Sequence, residues 1–129
     1  MMSKNILIVD DSLTTRAVIR RTLALAGIPA GQCFEAPNGS AALELMARQP
    51  IDVVLADLHM PHMSGAEMAG RILSDPNTSH VAIVVISAEP NDRKLADLKA
   101  AGVRAFLRKP FAPEALKAVV EQVLGVARV

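Results

Sequence analysis

Cysteine occurs once, at Cys33, so no internal disulfide and no cysteine-based zinc site can form. Neither sign of charge dominates. The 14 lysines and arginines against 13 aspartates and glutamates leave a formal charge of +1, too little to draw the chain toward nucleic acid. No apolar run is long enough to span a bilayer. There is no low-complexity segment and no signal-peptide pattern before the first apolar run. These absences lead to the expectation of a soluble, cytoplasmic protein with no nucleic acid and no membrane among its partners. The 129 residues, 51% of them apolar, are enough for one domain, 1–129, with a full core. The short basic clusters Arg20-Arg21, Arg93-Lys94 and Arg108-Lys109 read as solvated surface, and Cys33 as a small buried core residue.

Strand and helix patterns alternate. Strands are expected near 4–9, 31–35, 51–56, 81–86 and 103–107, and helices near 12–26, 39–48, 64–74, 91–101 and 113–124. In the first helix Thr15, Val18, Ile19, Thr22, Leu23 and Ala26 recur at three and four residues, as one core-facing stripe requires. Leu116, Val119, Val120 and Val123 do the same in the last, whose first turn suits Pro113. Ser64-Gly65-Ala66-Glu67 has capping-box spacing, and Gly27 and Gly102 stand where helix C-caps belong. Runs 6–9, 53–56 and 81–86 are apolar without alternation, which fits burial on both faces; the short, mixed run at 31–35 reads as an edge strand. Five strands and five helices in strict alternation predict an α/β fold, a five-stranded parallel sheet with helices on both faces. Ligands of such sheets bind beyond the carboxyl ends of the strands.

Those ends carry the chemistry. Ile6–Val9 stops at Asp10-Asp11, Val53–Ala56 at Asp57, Ile83–Ile86 at Ser87 and Val103–Leu107 at Arg108-Lys109-Pro110. Two unit charges about 5 Å apart repel by roughly 3 kcal/mol at an effective dielectric near 20, so three converging carboxylates call for a cation. Mg2+ prefers oxygen ligands and commonly joins one or two carboxylates to a phosphate. Asp10 and Asp11 are adjacent, so at most one is expected to touch the metal directly, the other acting through water. The backbone carbonyl of His59 is available to complete the shell. Asp-Asp-Ser also reads as a helix cap in its own right. Asp57 ends a buried run, and a carboxylate so placed can attack phosphorus and form an acyl phosphate. Lys109 and Mg2+ would supply positive charge and the Ser87 hydroxyl a donor; Ser87 alone also reads as a turn residue and Lys109 as a surface lysine.

Together these residues resemble the receiver domain of two-component response regulators, of the stand-alone, chemotaxis-regulator-like kind. The resemblance runs over nearly the whole chain: Val9-Asp10-Asp11-Ser12, Asp57-Leu58-His59-Met60-Pro61-His62-Met63-Ser64-Gly65, Ser87-Ala88, and Ala101-Gly102-Val103-Arg104-Ala105-Phe106-Leu107-Arg108-Lys109-Pro110-Phe111. It implies a flavodoxin-like (βα)5 fold with strand order 2-1-3-4-5. It also implies that Asp57 accepts a phosphoryl group from a phosphohistidine on a sensor histidine kinase or histidine phosphotransfer protein. Asp11, Asp57 and the His59 carbonyl would bind Mg2+, with Asp10 assisting through water. Lys109 would pair with the phosphoryl group, Ser87 would swing toward it, and Phe106 would rotate inward. The face made by the helix at 91–101, the strand at 103–107 and the helix at 113–124 would then change its downstream protein target. Such a chain is a monomer or a phosphorylation-dependent dimer, and no enzyme beyond accepting and slowly losing its own phosphoryl group. The Lys109-Pro110 bond is often cis in this family.

Some positions depart from the family's commonest pattern. Ser64 stands where Asp is frequent, Phe106 where Tyr is common, and Ser87 where Thr is also common. His59 and Glu89, two residues past Asp57 and Ser87, bear on the phosphoryl lifetime. A competing reading is a small Mg2+-dependent phosphohydrolase with His59 as acid, though the chain has no cap segment to hold an organic substrate. A third is a receiver-shaped interaction module that is never phosphorylated, against which the complete acid set argues. Only Gly125 to Val129 follow the last helix, so output is expected through association and not through an attached domain.

Overall fold

The three runs without alternation are withdrawn from water on both sides. In the computed structural model Ile6–Val9, Val53–Ala56 and Ala82–Ile86 are at most 3% exposed. Each such Val, Leu or Ile contributes roughly 1.5–3 kcal/mol by leaving water. The structure describes residues 4–27, 30–58, 60, 63–88 and 92–124. The elements run β1 (Lys4–Val9), α1 (Leu13–Leu25), β2 (Ala30–Ala36), α2 (Gly39–Arg48), β3 (Val53–Asp57), α3 (Gly65–Ser74), β4 (Ala82–Ser87), α4 (Asp92–Ala101), β5 (Ala105–Arg108) and α5 (Pro113–Leu124). The strands form one parallel sheet in the order β2-β1-β3-β4-β5, as expected.

Alternate residues along each strand feed two separate cores. Leu7, Val9, Val54, Ala56, Ile83 and Val85 face α2, α3 and α4, meeting Met46, Met68, Ile72 and Leu98. Ile6, Ile8, Val53, Leu55, Val84 and Ile86 face α1 and α5, meeting Ile19, Leu23, Leu116, Val120 and Val123. The stripe expected on α1 is narrower than its spacing suggested. Ile19 and Leu23 are buried, but Val18 is 55% exposed and lines an open groove beside Lys109 and Phe111.

Two strands, β3 and β5, start later than the sequence reading has them, in each case because a local group claims a ladder amide. At the start of β3, the Asp52 carboxylate accepts the Asn5 amide at 2.8 Å, and the ladder begins at Ile6–Val53. At the start of β5, the amides of Gly102 and Val103 donate to Lys99 and Leu98 carbonyls and close α4 as a Schellman motif. Gly102 takes φ +116, a backbone state that L side chains rarely adopt, and the strand starts only at Ala105. In β2 the register shifts between Lys4 and Ile6, and the Asn5 side chain takes the Gln32 amide. Cys33, expected in the core, is only half-buried because β2 lies at the sheet edge.

Candidate functional site

The register brings the polar strand ends together. Val9 pairs with Ala56, so Asp10 follows its strand directly beside Asp57. Asp57 pairs with Ile86, and Ser87 with Arg108. The Lys109 amide then donates to the Ser87 carbonyl at 2.9 Å. The order reverses between β1 and β3, because β2 lies on one side of β1 and all later strands on the other. Ligand crevices of open parallel sheets form beyond such a reversal.

Three carboxylates converge there. Asp10, Asp11 and Asp57 each bring an oxygen into a group whose members lie within 4.8 Å of one another. Asp10 is 2% exposed, Asp57 half-buried and Asp11 exposed. Asp10 is held on every side. Its amide donates to the Ala36 carbonyl at 3.1 Å, its Oδ1 accepts the Ser12 amide at 2.8 Å, and its Oδ2 faces Lys109 Nζ at 3.4 Å. Its carbonyl accepts Arg16 Nη1 at 2.6 Å. The cap of α1 is Ser12, whose hydroxyl accepts the Thr15 amide at 3.1 Å, so neither aspartate is spent on that task.

The loop after Asp57 is drawn close by a second cap. Ser64 Oγ accepts the Glu67 amide at 3.1 Å, while the Glu67 carboxylate pairs with Arg71 one turn on. Gly65 donates its amide to the Leu58 carbonyl at 3.0 Å. A Cβ on Gly65 would stand 2.7 Å from the Asp57 carbonyl oxygen, so only glycine permits this approach. His59 and Glu89 lie outside the described residues, and so does the His59 carbonyl expected in the metal shell.

Ser87 ends β4 at 6% exposure. Phe106, half-buried in β5, packs on the core shared with α3 and α4. The Lys109-Pro110 peptide is cis. The donor set fits a hard divalent cation, since it consists of carboxylate oxygens and is partly open to water. Arg16 and Glu35, which bear on this site, were not singled out from sequence. Arg16 sits one turn into α1, but its partner is on another strand.

Comparisons with known proteins agree with this geometry. The family model of the response regulator receiver domain matches residues 6–121. The chain is 35% identical over 121 residues to the chemotaxis protein CheY1 of Helicobacter pylori, covering 93% of this chain and 96% of that one. It is 34% identical over 121 residues to the sensor histidine kinase TmoS of Ectopseudomonas mendocina, covering 94% of this chain but only 12% of the kinase. Among solved structures, the chemotaxis protein CheY4 of Vibrio cholerae, crystallised at pH 4.0, has a TM-score of 0.86. It is 30% identical, with 95% of this chain and 100% of that one covered. No helix among the described residues is long and apolar enough to cross a membrane. With the fold, the strand-end acids and these relatives in agreement, the chain belongs to the response regulator receiver domain family of two-component systems.

Proposed function

We propose that this chain is a phosphorylatable switch of the cytoplasm that takes a phosphoryl group on Asp57. The observation that carries this reading is the meeting of Asp10, Asp11 and Asp57 beyond the β1–β3 reversal, with Lys109 Nζ 3.4 Å from Asp10. Asp57, Asp11 and, through water, Asp10 would hold Mg2+, with the His59 carbonyl completing the shell. When bound, the cation supplies charge neutralisation for the carboxylates and the incoming phosphoryl oxygens.

The reacting bond is made by Asp57. One of its carboxylate oxygens attacks phosphorus of a phosphohistidine on a sensor histidine kinase or histidine phosphotransfer protein. The P–N bond breaks, and its electron pair returns to the imidazole. The product is an aspartyl phosphate. Lys109 pairs with the new phosphoryl oxygens, and the Ser87 hydroxyl donates to another. Movement of Ser87 leaves space into which Phe106 turns, and the α4–β5–α5 face changes its downstream protein target. This is regulation by a covalent mark, with slow self-dephosphorylation as its only turnover.

Incubation with acetyl phosphate and Mg2+, followed by intact-mass measurement, tests the reading. The wild-type chain gains one phosphoryl group and Asp57→Asn gains none. A wild-type chain that stays unmodified refutes it.

A further inference from the structure

Arg16 reaches the acid site from behind. Side chains of an α-helix lean toward its N-terminus, and Arg16, in the first turns of α1, leans back over Ser12 to the end of β1. Its side chain is 13% exposed. Nη1 donates to the Asp10 carbonyl at 2.6 Å and Nε to Glu35 Oε1 at 3.1 Å. The planar guanidinium fork aims two separate nitrogens at the two acceptors in a fixed geometry, which the single nitrogen of an ammonium does not reproduce. Glu35 is itself fixed, because its other oxygen accepts Arg20 Nη1 at 3.0 Å. It lies on β2 opposite Ile8, one residue before Ala36, whose carbonyl holds the Asp10 amide.

The Asp10 carbonyl belongs to the same peptide unit as the Asp11 amide. That unit is planar, so fixing the carbonyl direction fixes the axis about which Asp11 turns. Asp11 is the exposed member of the acid group and depends most on its backbone for placement. We propose that Arg16 is a positioning residue: tethered by Glu35, it orients the Asp10–Asp11 peptide so that the Asp11 carboxylate faces the cation site. The inference rests on the switch reading above.

Mg2+ titration by calorimetry, backbone 15N relaxation of the metal-free protein, and acetyl phosphate labelling test it together. Arg16→Met keeps the apolar stem and loses both donors. It raises the Mg2+ dissociation constant about tenfold, in line with residues that orient metal ligands. It also lowers the order of the Asp11 amide without metal, and it slows labelling at sub-saturating Mg2+. Arg16→Lys restores the charge but only part of the affinity. In an Asp11→Asn background Arg16→Met costs no further affinity, because the two act through one carboxylate. A wild-type constant and a wild-type Asp11 amide in Arg16→Met overturn the proposal, as does a full further loss in the Asp11→Asn background. Should Arg16→Met not fold, Glu35→Gln, which loosens the tether alone, raises the constant about threefold; no change there overturns it. A wild-type chain that neither binds Mg2+ nor labels refutes the switch reading and this inference with it, whereas a labelled wild type with unaffected variants refutes this inference alone.

Discussion

Lys109 Nζ stands 3.4 Å from Asp10 Oδ2, although 99 positions separate them in the chain. Asp10 is almost wholly buried and Lys109 about a quarter exposed, so the pair crosses from the interior to the rim of the cleft. In a cleft with three carboxylates, this ammonium offsets part of their negative charge.

Lys109→Met removes that charge and leaves the Asp10 carboxylate with the Ser12 amide. Metal-free stability falls by about 1 kcal/mol, below the roughly 1.5–3 kcal/mol usual for a hydrogen bond to a charged group because the contact is long. Labelling of Asp57 by acetyl phosphate slows about a hundredfold, as for loss of one preorganised charge-stabilising donor. The chain has no tryptophan or tyrosine, so urea melts are followed by far-UV circular dichroism and labelling by mass.

Asp11→Ala relieves repulsion instead. The acid group lies within 4.8 Å, and at an exposed position two charges that close repel by about 1 kcal/mol. The cap of α1 belongs to Ser12, so the alanine variant keeps its helix start. Metal-free stability therefore rises by up to about 1 kcal/mol, while stabilisation by added Mg2+ is lost. Denaturant melts with and without Mg2+ check both. A large loss of metal-free stability would show that Asp11 is mainly structural.

Gly65→Ala drives a methyl group to within 2.7 Å of the Asp57 carbonyl oxygen and 3.1 Å of the Leu58 Cα. Both contacts are backbone, so the end of β3 or the start of α3 must move. The expected cost is about 1–3 kcal/mol, typical of overpacking, with slower labelling of Asp57 from its displacement. An alanine variant with unchanged melting and labelling would show that the loop yields freely.

The fold clearly perturbs the titration of Cys33. Burial pushes its thiol above the ordinary range, with the Arg20 guanidinium working in the opposite direction. A raised value leaves less thiolate at a given pH, and only the thiolate reacts. Iodoacetamide at pH 8 should therefore modify the native chain more slowly than the urea-unfolded chain, and the native rate should reach its plateau at the higher pH. Equal rates and coincident pH profiles would contradict this.

Much of the fold was legible because its signals are local. The uninterrupted apolar runs at 6–9, 53–56 and 81–86 mark buried strands, and Gly27 and Gly102 do take the positive φ of helix ends. Strand starts were harder to read. Val103 is apolar, yet its amide closes α4, and Ile51 is buried, yet the ladder waits for Val53. Both depend on a neighbour's hydrogen bond, which leaves no trace in a hydrophobic pattern. At the site, the acids and Lys109 were legible as strand ends. That Lys109 would face Asp10, and that Arg16 would hold the Asp10 carbonyl, depended on strand order and side-chain reach.

The pairing of Val9 with Ala56 has a last consequence. Side chains alternate between two greasy layers, so sliding β3 by a single position would exchange the occupants of both layers at once. Such a slip would also withdraw Asp57 from the rim. Hydrocarbon far from the cleft thus guards the placement of the acid, and an engineer who wants to relocate that carboxylate must redesign the interior first.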